Sequence, residues 1–325
     1  MAFSSRHGVV PTAPFSSRPP SPPAIKIPTP ILPNANEPIK ILPSYENVDP
    51  ASLSVEDLEI ITQNRKEQLA HDSAINWTYS SRRLAQPVLD FLYLGPSNVA
   101  RDRKWLRETG ITMLLAVRDA KMASMRLLDV DTLAKELGIQ AGYVDITGYH
   151  ELVRAFPLAI RMINDHILNI YRSQALNRGV TQVLPASMMV DTVNFRRGKV
   201  LVFCETGNDR SASVVVAYLM SVLGMDLVRA CQFIHFKRFC ISLEDEIKQR
   251  LKTYEDILLA ERTVHRHQLS NSLGGPSKPK RSIEDAMDID NATGGAAGAA
   301  VLDLDRFAYR QTLAPFVDIK EDGVE

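Results

Sequence analysis

The sequence predicts a three-layer α/β domain over residues 85–264, with a mainly parallel central sheet flanked by helices. Three observations carry that expectation. Short apolar, β-branched runs alternate along this region with longer stretches that are apolar at helical spacing. The tightest alternation, Lys199–Phe203 followed by Ser211–Leu223, reads as a buried strand passing through a short polar loop into a buried helix. Outside the region the composition changes, to proline-rich sequence before residue 51 and to polar, low-complexity sequence after residue 264.

The elements follow in chain order. Residues 1–51, with Pro-Pro-Ser-Pro-Pro at 19–23 and six further prolines from Pro28 to Pro50, are expected to stay disordered and to pack no core. Ser21-Pro22 and Thr29-Pro30 are candidates for proline-directed phosphorylation, and the proline runs could dock aromatic grooves; the alternative is an inert tail. Residues 52–84 form a leader, with a helix over Ser52–Leu69 capped by Ser54 and a linker after it. Pro87–Leu94 reads as two short strands ending at the Gly95-Pro96 turn. Arg101–Thr109 is a helix closed by Gly110, and Ile111–Val117 a buried strand. Ala123–Leu137 is a second helix of the domain and Gln140–Ile146 its next strand. Pro157 stands near the start of a long amphipathic helix that carries Ile160, Ile163 and Ile167 on its apolar face. Residues 177–197 read as a surface insertion. Helices at Leu227–Phe236 and Ile247–Leu259 complete the domain. In the tail, 265–325, the basic cluster Lys278-Pro-Lys-Arg281 is either a nuclear import signal or solvated charge.

Composition narrows the function classes. Lys plus Arg and Asp plus Glu both number 38, so no global charge argues for nucleic acid. No apolar run reaches the length of a membrane span, and the first residues lack the apolar core of a secretory signal. Three cysteines, Cys204, Cys231 and Cys240, are too few for a disulfide framework and point to a reducing compartment. A cytoplasmic or nuclear protein is expected.

The chemistry concentrates in Cys204-Glu-Thr-Gly-Asn-Asp-Arg210. A strand–loop–helix turn of this length can wrap the backbone amides of Glu205, Thr206, Gly207, Asn208, Asp209 and Arg210 around a tetrahedral oxyanion at a helix N-terminus. Gly207 permits the tight path, Arg210 offers a planar fork for two oxygens, and Cys204 lies where a nucleophile would meet the phosphorus.

This loop is similar to the Cys-x5-Arg signature of the protein tyrosine phosphatase superfamily. The run Phe91-Leu-Tyr-Leu-Gly95 resembles the opening of dual-specificity phosphatase domains. Arg238-Phe-Cys240-Ile and Tyr254-Glu255 resemble the ending of the phosphoserine/threonine/tyrosine-interacting pseudophosphatases. The resemblance covers about residues 86–262. It implies a cysteinyl-phosphate mechanism in which Cys204 attacks, Arg210 stabilises the equatorial oxygens and Ser211 eases breakdown of the intermediate. It implies no cofactor and no metal, and it implies phosphorylated proteins, among them kinases of signalling pathways, as partners.

Three departures bear on activity. Active members of the family place histidine where this chain has Phe203, which cannot bond to the loop backbone. Glu205 and Asp209 put two carboxylates in a phosphate loop, where they repel a dianionic ester unless they face solvent or meet a cation. Asp209 matches Cys-x-x-Gly-x-Asp-Arg of myotubularin-like lipid phosphatases, a resemblance that implies an acid for the leaving group and a phosphoinositide substrate. The family's general acid follows the strand at 140–146, where the alignment sets Gly148 in its place; shifted, Asp145 could be the acid, although its place in a buried strand favours a structural role, with His150 and Glu151 as neighbouring substitutes. The expectation is therefore a phosphoprotein-binding domain with weak or lost catalysis, against an active dual-specificity phosphatase and, more remotely, a phosphoinositide phosphatase.

Overall fold

The structure is a computed structural model and describes residues 23–32, 34, 37–45, 48, 52–123, 129–177 and 196–273. The insertion proper, the basic cluster at 278–281 and most of both tails lie outside the described residues. The chain divides into a unit spanning Met1–Ser270 and a second, Asn271–Glu325, of which only the end of the last helix is described.

The central sheet has five strands: β3 (Gln86–Pro87), β4 (Leu92–Pro96), β5 (Met113–Asp119), β6 (Gln140–Ile146) and β7 (Val200–Cys204). Their order is β3-β4-β7-β5-β6. β7 runs parallel to β4 on one side and to β5 on the other, β6 is parallel to β5, and β3 alone is antiparallel. A strand flanked on both sides must be apolar on both faces, and all five residues of β7 are buried.

Alternation of side chains along the strands divides the core in two. One sheet face carries Val200, Val202, Met113, Leu115, Val117, Val144 and Ile146. It packs against α4 (Leu152–Asn177), α5 (Arg210–Val222) and α6 (Leu227–Lys237), with Ile247 and Leu251 of α7 (Asp245–Leu273) in the same cluster. The other face carries Leu201, Phe203, Leu114 and Ala116 against Leu106 of α2 (Arg103–Thr109) and Val130 and Leu133 of α3 (Val130–Leu137). This is the three-layer α/β arrangement expected.

Helix ends follow the local chemistry. Asp102, Asp129 and Asp226 accept the third-residue amides of α2, α3 and α6. Gly110 and Gly138 close α2 and α3 in the left-handed region, at φ 75° and 67°. Pro157 lies inside α4, which is entered through a short 3-10 turn at Tyr149–Glu151.

The leader differs from expectation. The helix there, α1, covers only Val55–Thr62, capped by Ser54 as expected. It ends at Gln63, and Gln63, Asn64 and Arg65 all take left-handed backbone. The chain then enters β2 (Gln68–Ala70), which pairs antiparallel with β1 (Ile39–Ile41). The second half of the proline-rich segment therefore does contribute to the core. Ile39, Ile41 and Val48 are buried, and Ile25, Ile27 and Leu32 pack against the main cluster. The physical reason is the period-two spacing of Ile25/Ile27 and Ile39/Ile41, which puts both residues of each pair on one side of an extended chain.

Candidate functional site

The loop between β7 and α5 sits at the carboxyl end of the sheet's central strand. Cys204 ends β7 and is 3% exposed; Arg210 opens α5. Gly207 takes φ 73°, and a Cβ there would lie 2.5–2.7 Å from the backbone of Gly95 and Pro96 at the end of β4. Both the backbone angle and the close approach require glycine. Ser97 N–H donates to the Glu205 carbonyl at 3.4 Å, and Ser242 N–H to the Asn208 carbonyl at 3.0 Å, so neighbouring segments hold the loop on both sides.

The carbonyls of Thr206 and Gly207 turn outward onto Arg238, a fully buried arginine. Its guanidinium donates to the carbonyls of Thr206 (3.2 Å), Gly207 (3.1 Å), Arg82 (2.9 Å) and Leu84 (2.8 Å), to Asn208 Oδ1 (3.0 and 3.2 Å), and to the Gln86 side chain. Burial draws the Arg238 pKa down. A planar cation with five donors matches this set of acceptors, and with the carbonyls committed outward the amides are left to line the interior. Sequence reasoning missed Arg238. The available signal was a pair of basic residues, Lys237 and Arg238, between the apolar residues Phe236 and Phe239-Cys240-Ile241.

Inside the loop, Cys204 Sγ accepts from Gly207 N–H at 3.2 Å and from Ser211 Oγ at 3.1 Å. It donates to Asp209 Oδ1 at 3.0 Å. The same oxygen accepts from the Arg210 amide at 2.7 Å and from Thr206 Oγ1 at 3.3 Å. The Asp209 carboxylate thus lies in the cradle itself, ligating the groups that would hold an oxyanion. Arg210 Nη1 donates to Glu205 Oε2 at 2.6 Å, and Arg210 Nη2 lies 3.8 Å from Asp119 Oδ2. Glu205 and Asp209 are therefore compensated locally, by the guanidinium and by the amide of the same residue. Burial first, then Asp209, pushes the Cys204 thiol pKa up, with Ser211 opposing.

Phe203 is 4% exposed and joins the cluster on the α2/α3 face. Its place is a packed apolar layer on the side of the strand away from α5. Tyr149 borders the loop: burial, then the charges of Asp209 and Glu244, raise its pKa. Tyr149 and Asp119 are further neighbours that the sequence reading did not name. A cleft of about 520 Å³ opens beside Cys204 and Glu205, between Ser97, Arg101, Tyr143 and Val130.

Asp145 is not brought to the loop. It stands opposite Arg118 in the β5–β6 register, and both its oxygens accept from that guanidinium, at 2.7 and 2.8 Å. Arg118 in turn lies 3.9 Å over the Tyr143 ring. Gly148 precedes the 3-10 turn that contains His150 and Glu151. Glu151 accepts from the Thr147 amide at 2.5 Å, a bond that holds its carboxyl below the usual range and so ionised at neutral pH. Among the described residues no cluster of three or more His, Cys, Asp or Glu side chains could hold a metal, and no helix is long and apolar enough to cross a membrane.

The fold and this loop define a phosphatase-type domain built around a Cys-x5-Arg loop at the end of the central strand. The family described as "Dual specificity phosphatase, catalytic domain" matches residues 92–257, just over half of the chain, and the chain belongs to that family. It is 28% identical over 238 residues to serine/threonine/tyrosine-interacting protein B of Xenopus laevis, covering 70% of this chain and 93% of that one. It is 28% identical over 227 residues to the Homo sapiens serine/threonine/tyrosine-interacting protein, covering 67% and 88%. The crystal structure of the human tyrosine phosphatase-like serine/threonine/tyrosine-interacting protein matches at 26% identity with a TM-score of 0.39, over 55% of this chain and 99% of that one.

Proposed function

We propose that this dual-specificity phosphatase-like protein binds phosphorylated proteins and hydrolyses phosphate esters weakly or not at all, in the manner of a serine/threonine/tyrosine-interacting pseudophosphatase. The observation that carries the reading is the Asp209 carboxylate 3.0 Å from Cys204 Sγ. A thiol that donates to a carboxylate, and is buried beside it, resists ionisation, and the thiolate is the nucleophile. An incoming phosphate must first displace Asp209. It then gains the Arg210 amide that Asp209 had held and half of the Arg210 fork, the other half remaining with Glu205. Turnover needs two further things: a thiolate to form the S–P bond and a protonated carboxyl to give the departing oxygen its proton. Glycine at 148 and an ionised Glu151 supply no such proton.

The alternative reading, an active phosphatase, draws support from the Ser211 hydroxyl at 3.1 Å from Sγ, because that donor would stabilise both the thiolate and the sulfur as it leaves. A phosphoinositide phosphatase with Asp209 as acid is less supported, since the carboxylate faces the thiol and not the mouth of the loop. The deciding experiment measures binding of a phosphotyrosine or phosphothreonine peptide and its dephosphorylated twin, beside phosphate release from an aryl phosphate. The expected result is phosphate-dependent binding lost in Arg210→Ala, with release by wild type either no faster than by Cys204→Ser or only slightly faster. Binding that ignores both the phosphate and Arg210, or hydrolysis that is fast and Cys204-dependent, overturns the proposal.

A further inference from the structure

We propose that Thr29 is a site of proline-directed phosphorylation, and that its phosphate is received by Arg229 of α6 and Lys40 of β1, fastening the N-terminal strap to the domain. The proposal is independent of whether the cradle at Cys204 hydrolyses anything.

Residues 23–32 run extended across α6 and α7. Three side chains of those helices hold the strap by its carbonyls. Gln249 Nε2 donates to Pro23 O at 2.9 Å, Lys248 Nζ to Ile25 O at 2.9 Å, and Gln232 Nε2 to Pro28 O at 2.7 Å. Ile25 and Ile27 turn in toward the core, while Lys26, Pro28 and Thr29 are exposed. Pro28 and Pro30 on either side keep the backbone of residue 29 extended, since a residue before proline is turned away from helical angles. The strap thus offers an extended Thr-Pro unit with its side chain facing solvent, the form in which a kinase can read it.

The surroundings are built for the product. Thr29 lines a cleft of about 500 Å³ together with Pro30, Glu37, Lys40, Arg229 and Gln232. Gln232, which holds the carbonyl of the preceding residue, and Arg229 are three apart on α6 and so share one face of that helix. Lys40 is exposed and engaged only loosely, its Nζ 3.9 Å from Glu37 Oε1. In the modification, the Thr29 hydroxyl oxygen attacks the γ-phosphorus of ATP in a protein kinase, the bond to the departing ADP breaks, and the hydroxyl proton is released. A phosphothreonine brings about two negative charges and three acceptor oxygens, enough to draw Lys40 from Glu37 and engage Arg229 as well. A partly open space of about 660 Å³ lies between the strap and Cys231, Phe236, Phe239 and Ile241, so the strap is held by its carbonyl contacts without being packed along its whole length.

The test uses the full chain, ATP and a proline-directed kinase, with peptide mass spectrometry to locate the phosphate. Amide exchange over residues 23–32 and tryptic cleavage after Lys26 are then compared before and after modification. The expected result is phosphate on Thr29 and a slowing of both by about fivefold, the factor that a roughly 1 kcal/mol exposed charge network yields. Arg229→Ala with Lys40→Ala, both surface changes, should keep the phosphorylation and abolish the slowing. In ³¹P titration the phosphothreonine should lose its second proton at lower pH in wild type than in that double variant. Thr29 left unmodified, exchange unchanged or faster after modification, or a double variant identical to wild type in both readouts overturns the proposal.

Discussion

Asp209→Asn separates charge from shape at the cradle. The carboxylate oxygen lies 3.0 Å from Cys204 Sγ and presses the thiol toward its protonated form. Two unit charges about 4 Å apart interact by about 4 kcal/mol at an effective dielectric near 20. Asp209 is partly exposed and its oxygen already accepts from the Arg210 amide, so screening leaves about 1.5–2 kcal/mol of that repulsion. Removing the charge should raise the thiolate fraction at neutral pH by about ten- to thirtyfold. Asparagine is close in shape to aspartate and still caps α5, so the fold should persist, as a urea midpoint within about 1 kcal/mol would verify. The assay is the rate of Cys204 alkylation by iodoacetamide between pH 6 and 8, read on the Cys204 peptide by mass spectrometry. Cys231, whose thiol burial pushes up to about 12, serves as an unreactive reference in the same digest. A Cys204 rate that is unchanged or slower in a folded variant would refute the reasoning, because the carboxylate would then not be what suppresses the thiolate.

Two further outcomes test the support of the site and the acid response of the fold. Arg238→Met should cost about 3–5 kcal/mol in urea unfolding and weaken phosphate binding with it, since the carbonyls of Thr206, Gly207, Arg82 and Leu84 lose a buried cationic donor together. A near-neutral urea midpoint would mean that the loop holds its own shape. Burial pushes His166 down to about 4 from 6.5, where its ring nitrogens meet Thr112 Oγ1 and Gln140 Oε1 at 2.7 Å. On acidification the unfolded chain takes the proton first, so this contribution is complete above pH 6.5 and is lost as pH falls toward 4, about 3 kcal/mol for a buried ring. Urea midpoints should fall less steeply over that window in His166→Gln than in wild type, and equal slopes would exclude His166 as the cause.

What could be read in the sequence was whatever depends on near neighbours. Gln140–Ile146 and the buried run ending at Cys204 are strands by composition alone, and the Cys-x5-Arg spacing locates the cradle because a loop that short has few paths. What could not be read depends on pairing across the fold. Ile39–Ile41 looks like part of a proline-rich tail until Gln68–Ala70 lies beside it. Arg238 looks like one more surface base until the carbonyls of Arg82, Leu84 and Thr206 converge on it. Asp145 could be placed in a strand from sequence, but its ion pair with Arg118 depends on a register that sets the two residues opposite each other. For Asp209 the residue was identified and its direction was not, because a side chain that can face solvent or cradle is decided by the amide and hydroxyl it meets.

The position of β7 sets the order in which this molecule can be made. β4 and β5 are successive strands in the chain, yet they are not bonded to each other, and the gap between them is filled only by Val200–Cys204. A nascent chain must therefore emerge through the whole of α4 with two apolar strand edges open, the circumstance in which chains misassociate and holding chaperones are needed. When β7 enters, it closes the sheet and delivers Cys204 to the end of β4 in one event. The closing of the sheet and the placing of the Cys204 thiol are thereby one structural event, and a partly synthesised chain that ends before this strand has neither.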